Sequence, residues 1–278
     1  MKLKDYVIAV RSYRRSDTIK NKTLRVLKQD KIPKDNIYLF VGSDEIDIYK
    51  KNVGPGYHVV DGGSEGTNAC NKKIINYFPK NQYIIQTDDD INFILKLNNH
   101  CAGNKRKSKT NKIVSKINKS KRKIINGRIE PLGLHSYSIK NIIKEGKDLM
   151  DKNNYNLWGM YPVPNYYFMK NEISTNLKFC IGRVFGFNNT KDVICNDDCR
   201  DDYERSILYY DRDGGIIRFN HYVCDADTYI GKGGLAESRT IEKMKKSCDY
   251  LLQKYPQYVR PKKCKSQYPE IRLVSNSK

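Results

Sequence analysis

The sequence is poor in histidine, tryptophan and acid. It has four histidines and one tryptophan in 278 residues, and 31 Asp and Glu stand against 52 Lys and Arg. So few, dispersed histidines argue against a His-rich metal centre. No apolar run approaches the ~20 residues that a membrane span needs. Eight cysteines are present, but only Cys195 and Cys199 lie close together, and no second pair faces them at zinc-finger spacing. That argues against a zinc or disulfide framework and fits reduced thiols in a cytoplasmic or nuclear setting. The opening "MKLKDYVIAV" has two lysines and then only a strand-length apolar run, so it reads as a first strand rather than a secretory leader.

What is abundant is positive charge. The formal net charge is +21. A chain merely rich in Lys and Asn would spread that surplus. Here residues 104–123, "NKRKSKTNKIVSKINKSKRK", carry ten Lys or Arg and no acid. A block so one-sided points to a polyanionic or phosphate-rich partner.

The first third alternates strand and helix. "YVIAV" (6–10), "NIYLFVG" (36–42), "YHVVDGG" (57–63) and "QYIIQT" (82–87) read as strands. Between them, residues 16–30 form one expected helix capped by Ser16 or Asp17, with Ile19, Thr23, Val26 and Leu27 on one face. Residues 64–78 form another. This alternation predicts an α/β fold with a helix-flanked sheet. Further on, 179–188 and 216–224 read as strands and 201–215 as a helix with an acidic start ending at Gly214. Ile113, Ile117, Ile124 and Ile125 have near-helical spacing within and after the basic block.

The fourth strand ends in three consecutive carboxylates, Asp88, Asp89 and Asp90. Repulsion and desolvation both oppose this unless a cation compensates. In an open parallel sheet, ligands collect at the carboxyl ends of the strands. Four groups fall there: Arg11 to Arg15, Ser43 to Glu45, Asp61 with its glycines, and the Asp run. Continued strand alternation would turn Asp88 and Asp90 to one side and Asp89 to the other. Two carboxylates so placed suit Mg²⁺ or Mn²⁺ held partly by substrate phosphates.

"VIAVRSYRRSD", "GTNACNKKI", "IIQTDDDI" and "RDDYERSILYYDRDGGIIRFN" occur in an order that resembles GT-A-fold, nucleotide-sugar-dependent glycosyltransferases with an Asp-x-Asp motif. The resemblance implies a Rossmann-type mixed central sheet flanked by helices, with a basic helical or loop insertion after the Asp motif. It implies a catalytic domain over 1–240, divided into a donor half (1–100), the insertion (101–127) and an acceptor half (128–240). A basic C-terminal helix or tail (241–278) would follow. It also implies roles. Asp88 and Asp90 would hold Mn²⁺ or Mg²⁺, with His221 completing the shell. Arg11, Tyr13, Arg14, Asp44, Glu45, Asn71, Asp89 and Lys232 would bind the nucleotide sugar. Asp202, or Asp201 beside it, would be the catalytic base.

A ten-cation block beside a sugar-transfer centre suggests a DNA acceptor held by its phosphates. Among such enzymes the segments most resemble the TET/JBP-associated glycosyltransferases, which glucosylate hydroxymethylated pyrimidines in DNA. That implies a UDP-glucose donor and a viral or phage-encoded enzyme acting inside the host cell; the Asp201–Asp202 placement points to inversion at the anomeric carbon, and no protein partner is evident from the sequence. Lys105, Arg106 and Lys107 would grip the acceptor, and Trp158, Tyr161 or Tyr166 would flank an extruded base. Two other classes stay open: a GT-A enzyme acting on a glycan or protein, and a non-enzymatic nucleic-acid binder with a structural Asp cluster.

Overall fold

The computed structural model describes residues 5–64, 66–99, 131–227, 240–263 and 268–275, with the backbone alone at 124–125 and 128–129. Residues 100–123 and 228–239 lie outside these, and with them Lys105, Arg106, Lys107 and Lys232.

The N-terminal half is parallel. Strands β1 (Tyr6–Arg11), β2 (Ile37–Val41), β3 (His58–Asp61) and β4 (Tyr83–Asp88) lie in the order β3-β2-β1-β4. Each pair is parallel, so all four carboxyl ends share one edge. The β-branched and aromatic residues of β1, β2 and β4 are largely buried on both faces, as a helix-covered parallel sheet requires, whereas the edge strand β3 is half-buried to exposed. β1 sits between β2 and β4, so the chain departs to opposite sides of it. The crevice at its carboxyl end is the topological switch point.

The rest of the sheet is mixed. β5 (Ile91–Leu97), β8 (Leu134–Ser136), β9 (Leu157–Tyr161), β11 (Val184–Asn188) and β12 (Ile217–Ala226) extend it in the order β4-β11-β9-β12-β5-β8. β10 (Ile173–Ser174) pairs with β12. β11 runs antiparallel to β4, whereas β9 and β12 are parallel to each other. This is the helix-flanked mixed α/β sheet expected from the sequence.

The predicted first helix is two. α1 (Ser16–Asn21) and α2 (Thr23–Gln29) are separated at Lys22, whose φ of −118° and ψ of −88° leave the helical region. Arg15, not Ser16 or Asp17, occupies the cap position, and no side chain caps it. The break places Thr23 under the Asp run. Its hydroxyl donates to the Asp88 carbonyl at 2.8 Å and accepts from the Ile91 amide at 3.1 Å, bracketing the turn between β4 and β5.

Two further expectations are corrected. Residues 124–125 are a short strand, β6, paired with β7 (128–129), not part of a helix. Of 179–188 only Val184–Asn188 is strand; the preceding residues form a loop. After 240 the chain holds a helix and two strands. Helix Ile241–Lys254 and the antiparallel strands Val259–Lys262 and Glu270–Leu273 bury Leu251, Val259 and Ile271 in the same cluster as Ile207 and Phe187.

Three helices complete the frame around the sheet. α3 (Ile46–Val53) follows β2, and α4 (Thr67–Tyr77) precedes β4. α5 (Ile139–Asn153) packs its Ile139, Ile142, Ile143, Gly146 and Met150 stripe inward. The acidic helix, α6 (Asp201–Asp213), ends at Gly214 in the left-handed conformation, as expected.

Candidate active site

Arg11 is the hub of the crevice. It is the last residue of β1, and register pairs it with Asp88, the last residue of β4. Its guanidinium lies 2.8 Å from the Asp88 carboxylate and 3.1 Å from Asn71 Oδ1, and it reaches Asp201 at 3.6 Å. Three residues expected from separate motifs therefore meet on one side chain. Burial alone would lower the Arg11 pKa, but the charges of Asp88 and Asp201 raise it above its ordinary value.

The Asp run does not alternate as a strand would. β4 stops at Asp88, and Asp89 and Asp90 turn together onto Arg15, whose Nη1 lies 3.3 Å from each. Asp89 also accepts from Ser12 Oγ at 2.6 Å. That donation uses the only Ser12 hydroxyl proton, so Tyr49 Oη, 2.6 Å away, donates to Ser12 and in turn accepts from the Arg15 amide at 3.0 Å. Burial pushes the Asp89 carboxyl up to about 6 and, with Asp88 and Asp89 alongside, the Asp90 carboxyl up to about 7. One shared guanidinium undercompensates the cluster.

These carboxylates fit a divalent cation in a limited way. Among the described residues no group of three or more His, Cys, Asp or Glu is placed to hold a metal unaided. One or two carboxylates completed by phosphates and water is the arrangement Mg²⁺ and Mn²⁺ commonly use. Asp90 carries the under-neutralised charge such an ion would offset, and Asp88 is the most solvent-open of the three.

His221 is not among them. It lies on β12, five residues before Ala226, the residue that pairs with Ile91 next to the Asp run. At about 3.3 Å per residue that separates the two by roughly 16 Å. The buried ring packs on Phe219 and Tyr222, and burial lowers its pKa. The group that β12 does bring to the site is Asp227, which ion-pairs with Lys22 and accepts from Asn92 at 3.1 Å. Arg15 and Ser12 were expected only within the Arg11–Arg15 group at the strand edge, without a role of their own, and Asp227 was not expected at all. "RSYRRS" signalled the first two, whereas nothing local singles out Asp227.

Tyr13, Asp44 and Glu45 enclose the backbone at Gly42. A Cβ there would stand 2.9 Å from Glu45 Oε2, 3.0 Å from Asp44 Oδ1 and 3.1 Å from Tyr13 Cε2. Glu45 is buried and occupied: both its oxygens accept from the Arg14 amide at 3.0 Å, fixing that residue at φ +56°. Asp44 and the Arg14 side chain are exposed, and Arg14 lies over the Tyr13 ring at 5.0 Å. Asn71 faces inward. Its Oδ1 accepts from Arg11 and from Gln86 at 2.7 Å, and its Nδ2 donates to Asp201 at 3.1 Å.

The two acids at the start of α6 divide. Asp201 is buried between Arg11 and Arg205, the latter at 3.3 Å. Asp202 is half-buried and accepts from the Gly182 amide at 3.4 Å. The Gly182 carbonyl in turn accepts from Arg11 at 3.4 Å, so Asp202 borders the same crevice.

The aromatic residues expected at the acceptor side also divide. Trp158 is fully buried, and its Nε1 donates to Tyr83 Oη at 2.6 Å. Tyr166 is buried against Gly133 and stacks on Tyr167. Both belong to the core. Tyr161 alone lines a cleft.

No protein-family model and no curated protein matches this chain. Its backbone is similar to that of S. aureus TarS 1-349 in complex with UDP, with TM-score 0.46 and 11% identity over 89% of this chain and 65% of that one. The chain thus spans less than two thirds of that protein's solved length. It is also similar to glucosyl-3-phosphoglycerate synthase from Mycobacterium tuberculosis, solved with Mn²⁺, UDP and glucosyl-3-phosphoglycerate. There the TM-score is 0.46 and the identity 8%, over 98% of this chain and 87% of that one. Likeness at this level bears on neither substrate nor mechanism.

Proposed function

We propose that the chain is a metal-dependent GT-A glycosyltransferase of the TET/JBP-associated type. In this reading it transfers a hexose, glucose from UDP-glucose, to the hydroxyl of a hydroxymethylated pyrimidine in DNA. The observation that carries the reading is the meeting of Arg11, Arg15 and the Asp88–Asp90 run at the switch point of the sheet. A nucleoside diphosphate needs cations and a metal-holding carboxylate at one place, and this crevice supplies both.

Asp88 and Asp90 would hold Mn²⁺ or Mg²⁺, which neutralises charge on a departing diphosphate. Tyr13 offers a stacking face and Asp44 an exposed acceptor for the donor's base. Asp202 takes the proton of the attacking hydroxyl as its oxygen bonds the anomeric carbon and the bond to the diphosphate breaks. Asp201, held by two guanidinium groups, positions Arg11 rather than accepting that proton. A single displacement of this kind inverts the anomeric centre.

The net charge of +21 and the ten cations of 104–123 support the DNA acceptor. Among the described residues no helix is long and apolar enough to cross a membrane. The test is a transfer assay with Mn²⁺ across several nucleotide sugars, on hydroxymethylated and plain DNA. Transfer only to the modified DNA, with an inverted product by NMR and no turnover in Asp90→Asn, is expected. Wild-type turnover in that variant refutes the metal assignment, and transfer to a glycan or protein instead refutes the DNA acceptor. Charge reversal at Lys105, Arg106 and Lys107 is expected to weaken DNA binding and flatten its salt dependence.

A further inference from the structure

A second cationic site lies around Arg218 on β12. A cleft of about 360 Å³ is walled by Tyr161 and Phe168 and floored by Arg218, Asn220, Lys170 and Lys178. The volume falls within the range of small-ligand sites. Arg218 is fixed rather than free. Its Nε donates to Asn220 Oδ1 at 2.8 Å, Asn220 donates to Ser174 Oγ at 2.8 Å, and the guanidinium lies 5.2 Å from the Tyr161 ring centroid. Among the described residues no carboxylate is within ion-pair distance of it. The one acid in the cleft, Glu172, pairs with Lys170 at 3.5 Å. The charge of Glu172, shared with Lys170, offsets the half-buried guanidinium only in part, so a visiting anion would complete its compensation. Burial correspondingly lowers the Arg218 pKa.

The cleft adjoins the candidate active site. Arg218 pairs with Gly159 in the sheet, and Gly159 pairs on its other side with Phe185, over whose ring the Arg205 guanidinium lies at 3.6 Å. Lys178 lines the cleft, and Gly182, four residues on, donates to Asp202. Four residues span at most about 14 Å, which caps the distance from one to the other.

From Arg218, held in place without an ion pair, the aromatic rings beside it and the lysines around it, we infer that the cleft is an acceptor subsite for a phosphate flanking the reacting unit. The inference rests on the glycosyltransferase reading only for the word acceptor; the phosphate site stands or falls by itself. Arg218 supplies the fixed, two-nitrogen contact, Lys178 and Lys170 the surrounding charge, and Tyr161 with Phe168 a face for the adjoining ring.

The test titrates the full chain with inorganic phosphate and, separately, with a short single-stranded oligodeoxynucleotide, at fixed ionic strength. Both bind the wild type, and Arg218→Gln weakens each at least tenfold while its circular dichroism is preserved. If that variant does not fold, Lys178→Gln takes its place, with an expected loss of about threefold. Wild-type affinity in the folded variant overturns the site, as does failure of the wild type to bind either probe. Binding of inorganic phosphate alone overturns the polymer acceptor. Mn²⁺-dependent UDP binding by the wild type is measured alongside: its absence together with phosphate binding sinks the glycosyltransferase reading and leaves the anion site, whereas the reverse result sinks the site alone.

Discussion

Arg11 and Asp88 face each other at the ends of β1 and β4, and their side chains close to 2.8 Å. The pair ties together strands whose residues are 77 positions apart in the chain. The same guanidinium also serves Asn71 and Asp201, so its loss strands several buried groups at once. Breaking a fully buried ion pair costs about 3–5 kcal/mol. The Asp88 side chain is 34% exposed, so that figure must be discounted for solvent screening. Arg11→Met is expected to lower the unfolding free energy by roughly 2–3 kcal/mol. Urea denaturation checks this, and an unchanged midpoint would make the hub incidental.

Asp201 and Asp202 are neighbours with opposite expected phenotypes. Asp201 is buried between two arginines, whereas Asp202 is half-buried at the crevice and accepts from the Gly182 amide at 3.4 Å and the Tyr203 amide at 3.0 Å. Asp202→Asn should reduce turnover by about 10²–10⁴-fold with the melting temperature preserved. Asp201→Asn should lower the melting temperature first, because it leaves Arg11 and Arg205 undercompensated. Kinetics and thermal melts on the two variants separate the roles. Equal turnover loss at unchanged stability in both would return Asp201 to the candidate bases.

The parallel half of the fold and its loaded edge were legible in the sequence, because buried strands carry their own composition and the Asp run marks where one ends. What was hidden depended on contacts between distant segments. Asp227 enters the site only because β12 pairs with β5 over Phe93 and Ile91. The alternation argument for Asp88 and Asp90 failed because Thr23 ends β4 at Asp88 and starts β5 at Ile91, leaving two residues to turn. Helix α5 was readable from its Ile139, Ile142, Ile143 and Gly146 spacing, but its charged outer face masked it within a basic region. The role expected of His221 rested on the resemblance and on its position after the acidic helix, a reason with no spatial content.

Glu204 gives the fold an acid-sensitive joint. It is fully buried, and it accepts from the Asn196 amide at 2.7 Å, Tyr250 Oη at 2.8 Å, Tyr255 Oη at 2.9 Å and Lys254 Nζ at 3.1 Å. Burial alone would raise its pKa, but these donors outweigh burial and hold it below the ordinary glutamate value. A depressed carboxylate stabilises the fold above its unfolded pKa, about 4.3, and that contribution is lost as pH falls through the folded value. Glu204→Gln should therefore cost roughly 2 kcal/mol or more at neutral pH, with the gap to wild type narrowing below about pH 4. Urea titrations across pH 7 to 3 test the sign. A gap that widens in acid would mean that the donors do not control this carboxyl.

Trp158 distinguishes a core residue from an acceptor platform. It is the chain's single tryptophan, fully buried on β9. The chain is shaped around it: a Cβ at Gly146 would stand 2.5 Å from its Nε1, and one at Gly186 would stand 2.2 Å away. Its indole N–H donates to Tyr83 Oη, whose own proton goes to the Ile143 carbonyl at 2.8 Å. Removing the ring loses packing and leaves a cavity under α5, a change worth about 3–5 kcal/mol. Trp158→Phe should cost less than Trp158→Ala, because most of the packing stays and only the hydrogen bond and part of the ring go. Neither variant, where folded, should change DNA affinity by more than about twofold, since no ligand reaches a side chain sealed on both faces of the sheet. Melting curves and salt-matched DNA titrations decide between the roles: lost DNA binding at full stability would restore Trp158 to the acceptor site.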